Sequence, residues 1–271
     1  MSVEVLIGEG HVLLELDEGS GIGRLRLNRP DAANGLHVPM LKAIYDALMR
    51  CHGEPRLRAL ILSGEGRNFC AGGDVKTFAS KGKDLPDYLR EATSWLQICC
   101  SALIRLQAPV VTLVHGFAAG GGGMGMVCAS DLVIAGESAK FLLGATRVGM
   151  APDGGGSVTL GRLVGHRKAM EIALTNPTIT APEALAMGLV TRVVPDAELE
   201  EAGTTLAAQL ANGPTRAFAE TKRLLWTGIG RSVEDCLPDE ARTVSMLSGT
   251  DDSLEGLRAV IERRDPVFTG R

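Results

Sequence analysis

Residues 108–126 constrain this chain more than any other stretch. Residues 110–114, Val-Val-Thr-Leu-Val, form an unbroken β-branched and apolar run bounded by Pro109 and Gly116. That is the pattern of a short buried strand. Four consecutive glycines, residues 120–123, come next, and an apolar run then reaches Asp131. Glycine just past a strand lets the backbone approach a ligand where any Cβ would collide. A helix over residues 123–129 would aim its unpaired N–H groups and the positive end of its dipole back at that ligand. The stretch therefore predicts a pocket that binds, or generates, negative charge on an oxygen.

The flanking sequence reads as an α/β body. Strands are expected over residues 3–7, 11–16 and 22–27, which alternate apolar and polar residues between glycines. A helix is expected over 38–49, where Leu41, Ile44, Tyr45 and Leu48 recur at helical spacing. A short buried strand at 59–62 follows, then a loop over 64–73 and a long helix over 84–105. Beyond the glycine run, strands are expected at 131–135, 140–143 and 189–194, with short helices at 158–164, 167–173 and 182–186. A second glycine-rich turn lies at 150–157. From about residue 197 the pattern is helical, broken at Gly213-Pro214, 228–230 and Gly249. The expected division is a body over residues 1–196 and a helical region over 197–271. Amphipathic tail helices with little core of their own point to packing against a second copy of the chain.

The totals exclude several classes. A length of 271 residues with 45% hydrophobic content supports one large domain or a domain with an appendage. A net charge of −4 gives no electrostatic case for nucleic acid or an anionic membrane. No apolar run approaches the ~18 residues of a membrane span. The opening Met-Ser-Val-Glu-Val lacks the basic start and long apolar centre of a secretion signal. Six scattered cysteines without a C-x-x-C pair suit reduced thiols and a cytoplasmic protein rather than disulfides or zinc. No spacing of His, Asp and Glu suggests a metal site.

Two backbone-rich loops carry the chemistry. The glycine run contains G-x-G-x-x-G at Gly120, Gly122 and Gly125, so a dinucleotide-binding fold is a rival reading. That fold wants an acid roughly 20 residues on, at a strand end; position 145 is Ala, and Glu137 and Asp153 are poorly placed. The second loop is Asn68-Phe69-Cys70-Ala71-Gly72-Gly73-Asp74-Val75, with Asp74 suited to cap a helix. Cys70 has no local base and reads as a buried structural thiol. Two sets of free N–H groups converging on one oxygen make an oxyanion hole, where losing one donor typically costs about 3–4 kcal/mol of transition-state stabilisation.

The set Leu27-Asn28-Arg29-Pro30, Phe69-Cys70-Ala71-Gly72-Gly73-Asp74-Val75, Gly116-Phe117-Ala118-Ala119-Gly120-Gly121-Gly122, Gly149-Met150-Ala151-Pro152-Asp153-Gly154-Gly155-Gly156 and Glu262-Arg263-Arg264-Asp265-Pro266-Val267-Phe268 resembles the crotonase superfamily, the enoyl-CoA hydratase/isomerase family. The motifs recur in the family's order over nearly the whole chain. The resemblance implies a ββα spiral core, a C-terminal helical trimerisation region, and a homotrimer or a hexamer built as a dimer of trimers. It implies an acyl-CoA thioester substrate whose carbonyl becomes an enolate, with coenzyme A arriving as part of the substrate and no separate cofactor. By position, the first oxyanion donor is the N–H of Gly73. The second is Gly121 counted from Gly116 and Gly122 counted back from Asp131, with Gly122 preferred. Arg29, Ala71, Gly72, Asp74, Val75, Gly121, Gly123 and Arg263 are the implied substrate contacts, and Arg264 and Lys222 are further candidates for the CoA phosphates.

The departures from the family pattern bear on the reaction. The hydratases of this family use two glutamates, and their positions here fall on Gly125 or Met124 and on Ala145. None of these moves a proton. Hydration needs a water positioned and deprotonated and a proton returned to the next carbon, work suited to two carboxylates. Asp153 remains. Pro-Asp-Gly is a turn signature, and Asp before a short helix is a good cap; but an acid here resembles the catalytic Asp of certain enoyl-CoA isomerases and of the 4-chlorobenzoyl-CoA dehalogenases. The dehalogenases' assisting His and Trp fall on Gln97 and Ala145. The expectation is double-bond isomerisation of an enoyl-CoA with Asp153 as the acid and base. The alternatives are a hydratase working through Glu91 or Asp87, a CoA-ester binder without turnover, and the dinucleotide fold.

Overall fold

The computed structural model describes residues 2–270; Met1 and Arg271 lie outside the described residues. Strands β1 (Val3–Ile7), β2 (Val12–Asp17) and β3 (Ile22–Leu27) form an antiparallel meander. In β2 every second residue is buried, as its alternation predicts. Helix α1 (Val38–His52) follows, then β4 (Ala59–Gly64), α2 (Val75–Ser80), α3 (Leu85–Arg105) and β5 (Val110–Val114). β5 is buried along its whole length, as its continuous apolar run requires.

The chain then makes β6 (Phe117–Ala119), α4 (Gly120–Ala129), β7 (Leu132–Gly136) and β8 (Lys140–Leu142). Helices α5 (Gly156–Val164) and α6 (His166–Thr175) lead through β9 (Ile179–Thr180) and α7 (Ala181–Ala186) to β10 (Arg192–Val194). The larger sheet has the order β1-β2-β3-β4-β5-β7-β10, parallel from β3 onward. A smaller sheet, β6-β8-β9, stands beside it. Helices α8 (Leu199–Ala211), α9 (Thr215–Gly228), α10 (Val233–Leu247) and α11 (Asp251–Glu262) complete the described chain.

Two apolar clusters hold the layers together. The larger joins β2 and β3 to α1, α3 and α4 through side chains such as Leu14, Leu25, Ile44, Leu48, Leu103 and Met124. The other lies on the opposite face of the sheet, where Leu199, Ala207 and Ala211 of α8 cover Ile61, Val111, Leu113 and Ile134. The first helix after residue 197 thus packs on the sheet. The three helices that follow expose apolar side chains, including Leu225, Val233, Val244, Leu257, Val260 and Ile261.

Lys222 of α9 ties the tail to the body. Its Nζ lies 2.6 Å from Asp131 Oδ2, both side chains are nearly buried, and Nζ also donates to the Leu106 and Ala108 carbonyls. Asp131 in turn accepts the Val110 N–H at the start of β5. Lys222 is therefore a structural tether, and the expectation that it meets CoA phosphates is corrected: its ammonium is spent on buried partners.

Two short strands, β6 and β9, escape sequence reading, because two or three residues carry no period. Helix α4 begins at Gly120, three residues before the expected start. Intrinsic propensity argues against glycine in a first turn, but close tertiary approach selects it at this position.

Candidate functional site

Residues 69–74 form a loop stitched to structure on both sides. Phe69 N–H donates to the His115 carbonyl, Cys70 N–H to Phe117, and Ala119 N–H to Cys70. On the other side Ala71 N–H donates to Ala33, Leu36 N–H to Gly72, and Asp74 N–H to Leu36. Among the described residues the Gly73 N–H has no partner. It is held between two pinned neighbours, which makes it a preorganised donor.

Asp74 caps α2 as expected, accepting from the Thr77 N–H and hydroxyl. Arg29 Nη1 lies 2.7 Å from Asp74 Oδ2 and also donates to the Gly35 carbonyl. Burial pushes the Asp74 pKa up, but the Thr77 N–H, Arg29 and the Thr77 hydroxyl together outweigh it and hold the carboxyl at about 2.

The second loop meets the first at Gly72 and Gly120. Both have left-handed backbone, φ +92° and +62°, and a Cβ on Gly72 would lie 2.7 Å from the Ala119 carbonyl oxygen. The Cβ position of Gly120 is 3.5 Å from the Gly73 nitrogen. The first turn of α4 therefore begins beside Gly73. The first N–H groups of a helix lack intrahelical partners, so those of Gly121 and Gly122 are available together with that of Gly73. Gly122 is buried with its Cα against Leu36, whereas Gly121 is partly open.

The acid comes from the turn before α5. A Cβ on Gly121 would fall 1.3 Å from Asp153 Oδ1, so the carboxylate occupies the space that glycine leaves. The structural alternative for Asp153 was a helix cap. The cap of α5 is Gly155, with no side-chain cap bond, and the Asp153 main-chain carbonyl accepts from Gly156 N–H. Burial raises the Asp153 pKa above its ordinary value, opposed only in part by its own backbone N–H.

These groups line one cavity of about 430 Å³. Ala71, Gly73, Val75, Gly121, Gly122 and Asp153 all face it. Its remaining walls are mostly apolar and come from α1, α2, α3 and residues 142–151. Gly72 and Gly123 are buried behind it, and Gly123 packs its Cα against the Cys70 carbonyl. Arg29, Asp74 and Arg263 are outside the lining; Arg263 ends α11 in the left-handed conformation. No residue of α8–α11 lines the cavity.

The positions that would carry further acids are empty of them. Ala145 lines the cavity, Met124 is fully buried in the core, and a Cβ on Gly125 would sit 3.1 Å from the Gly154 carbonyl oxygen. Glu91 is exposed at 2.9 Å from Lys42, and Asp87 is exposed beside Arg90; neither faces the cavity. Cys70 is fully buried, donates to the Asn34 carbonyl, and has its pKa pushed up to about 12 by burial. Among the described residues no helix is long and apolar enough to cross a membrane. Among the described residues no group of three His, Cys, Asp or Glu side chains gathers for a metal.

Comparison with known proteins gives consistent findings. A family model described as enoyl-CoA hydratase/isomerase matches residues 17–271. A Rhodobacter capsulatus protein named "Probable enoyl-CoA hydratase" is 39% identical over 257 residues, covering 95% of this chain and 97% of its own. The 1,2-epoxyphenylacetyl-CoA isomerase of Escherichia coli is 32% identical over 253 residues, covering 93% and 96%. The crystal structure of an enoyl-CoA hydratase from Mycobacterium smegmatis superposes with a TM-score of 0.89 at 31% identity, over 96% of this chain and 99% of that one.

Proposed function

The chain belongs to the enoyl-CoA hydratase/isomerase family and has its crotonase fold, and from that premise we propose that it isomerises the double bond of an enoyl-CoA with Asp153 as sole acid and base. The observation that carries this reading is a cavity with one carboxylate, its pKa raised by burial, beside unpartnered backbone N–H groups.

The thioester oxygen is received by the Gly73 N–H and by the first turn of α4, through Gly122 or its neighbour Gly121. The Asp153 carboxylate removes a proton from the carbon next to the carbonyl. The electron pair moves onto the oxygen, where the N–H groups and the α4 dipole hold the enolate. The neutral carboxyl then returns the proton two carbons further along, the remote double bond closes into conjugation, and Asp153 is regenerated as the base. A pKa raised toward the working pH serves both halves, since the group must take and give the same proton. Arg29 acts through Asp74, fixing the α2 cap and with it the Gly73 loop, while Arg263 is left to the CoA phosphates. The exposed apolar side chains of α9–α11 support assembly with further copies of the chain, as a trimer or a dimer of trimers.

The test is Asp153→Asn with a 3-enoyl-CoA. Turnover is expected to fall about 10²–10⁴-fold, the range of general acid–base catalysis, with CoA-ester binding retained. Unchanged turnover would remove Asp153 from the reaction. Conversion of a 2-enoyl-CoA to its 3-hydroxy product by the native protein would favour hydration instead.

A further inference from the structure

We infer that the acyl group is an uncharged hydrocarbon of medium length, and that Ala92 sets how long it can be. This rests on the acyl-CoA reading of the site and concerns its specificity. Helix α3 forms one long wall of the cavity. Leu96 lies at its reacting end, with Cδ2 3.3 Å from the Cβ position of Gly154, next to Asp153. Ala92 is one turn away and Leu89 is close to two turns away, so α3 presents about 10 Å of face between Leu96 and Leu89.

Polarity follows from what lines that face. Leu89, Ala92 and Leu96 are joined by Leu41 from α1 and by Val75 and Phe78 from α2. The one hydroxyl on this wall, Thr93 Oγ1, donates to the Leu89 carbonyl of its own helix. The charged groups of the lining are Asp153 and Arg147. Arg147 is exposed and donates to the Asn176 carbonyl. A carboxylate or hydroxyl lying along the α3 wall would lose its water and meet no partner there.

Length follows from that wall. An extended chain advances roughly 1.2 Å per bond, a third of the 3.3–3.6 Å spanned by one residue's three backbone bonds. About 10 Å of α3 face therefore matches an acyl group of about eight to ten carbons. Ala92 is nearly buried and is the smallest side chain on the α3 wall. A larger residue there would shorten the space.

Saturated acyl-CoAs, from butanoyl to tetradecanoyl, test this by calorimetry on the full chain in its own assembly. They bind without reacting, so the readout is independent of isomerisation. The dissociation constant is expected to fall by up to about fourfold per added methylene and to level off near eight to ten carbons. An acyl-CoA of the same length ending in a carboxylate should bind at least about tenfold more weakly. Ala92→Leu should move the plateau about three carbons shorter, and Leu89→Ala should move it longer, so one variant still reads out if the other does not fold. Affinity indifferent to chain length, equal binding of the terminal carboxylate, or a plateau unmoved by either variant would overturn the inference. A native protein that shows the chain-length profile but does not turn over 3-enoyl-CoA would keep the acyl assignment and remove the isomerase chemistry.

Discussion

Gly121→Ala is the sharpest perturbation available at this site, because its effects on activity and stability have opposite signs. An added Cβ would lie 1.3 Å from Asp153 Oδ1 and 2.5 Å from Cγ. Real contacts at such positions exceed 3 Å, so the carboxylate must withdraw by about 2 Å, whereas a displacement of about 1 Å can already cost 10²-fold in rate. The carboxylate is the end of a side chain, so this movement costs the fold little. Gly121 is also not at positive φ, and it lies in a helix where Ala is preferred over Gly by up to about 1 kcal/mol. The alanine keeps its N–H, so the proposed oxyanion donors at Gly73 and in the first turn of α4 are all retained.

The expected outcome is a 10²–10³-fold loss of kcat/KM, about 2.7–4 kcal/mol of transition-state stabilisation, with Tm unchanged or higher. The assay is conjugation of a 3-enoyl-CoA followed by absorbance, beside a thermal melt. The double variant with Asp153→Asn should be no slower than Asp153→Asn alone, since both act through one carboxylate. Retention of more than about a tenth of the activity, or a further large fall in the double variant, would refute the reasoning.

Three further outcomes follow from burial and pairing. The folded-state pKa of Asp153 is raised by burial, so the stability it contributes is present below its unfolded pKa of about 3.9 and lost as pH rises through the folded value. Asp153→Asn should therefore raise Tm at pH 7, with the gain vanishing in acid, and melts across pH would show it; in the native protein kcat/KM should fall on the acid side above the ordinary carboxylate range. Burial pushes the thiols of Cys51, Cys70, Cys99 and Cys128 up to about 12 and raises that of Cys100 as well. With Cys236 the one free thiol not fully buried, mass spectrometry after native alkylation should find one modified cysteine, and after unfolding six. Lys222→Met strands the Asp131 carboxylate among buried partners and should cost about 3–5 kcal/mol in denaturant unfolding; a loss under about 1 kcal/mol would show that the tail does not depend on this tether.

What could be read from the sequence divides along physical lines. The alternation in β2 and the continuous apolar run of β5 each state which faces are buried, so both strands were legible. The tail helices were legible as amphipathic, but the docking of α8 on the sheet was not. Ala207 and Ala211, which make that contact with Leu199, are small residues that mark no face by hydropathy. The start of α4 was misplaced because propensity penalises the glycines that tertiary approach requires. Which helices face the cavity also depends on packing that no local pattern encodes; its apolar wall comes from α1, α2 and α3.

Asp153 was the residue on which local rules were least decisive, since a turn, a cap and a general base all suit Pro-Asp-Gly. Its partner was 32 positions away, in the glycine run. Asp153 sits where it does because residue 121 is glycine: the glycine leaves the space that the carboxylate fills. This also bears on why the acid is not on α4. A side chain at Gly125 would press on the Gly154 carbonyl at 3.1 Å, and Met124 points into the core. The first turn of α4 is held against the loops at Gly72 and Gly154, and a side chain at Gly125 would need the Gly154 carbonyl to give way by a few tenths of an ångström. On the proposed reading the helix supplies N–H groups and dipole, and Asp153 carries the proton from the turn before α5, beside Gly121. One acid in the lining, and Ala145 where a second would stand, support the proposed transfer of a proton within the substrate over activation of a water.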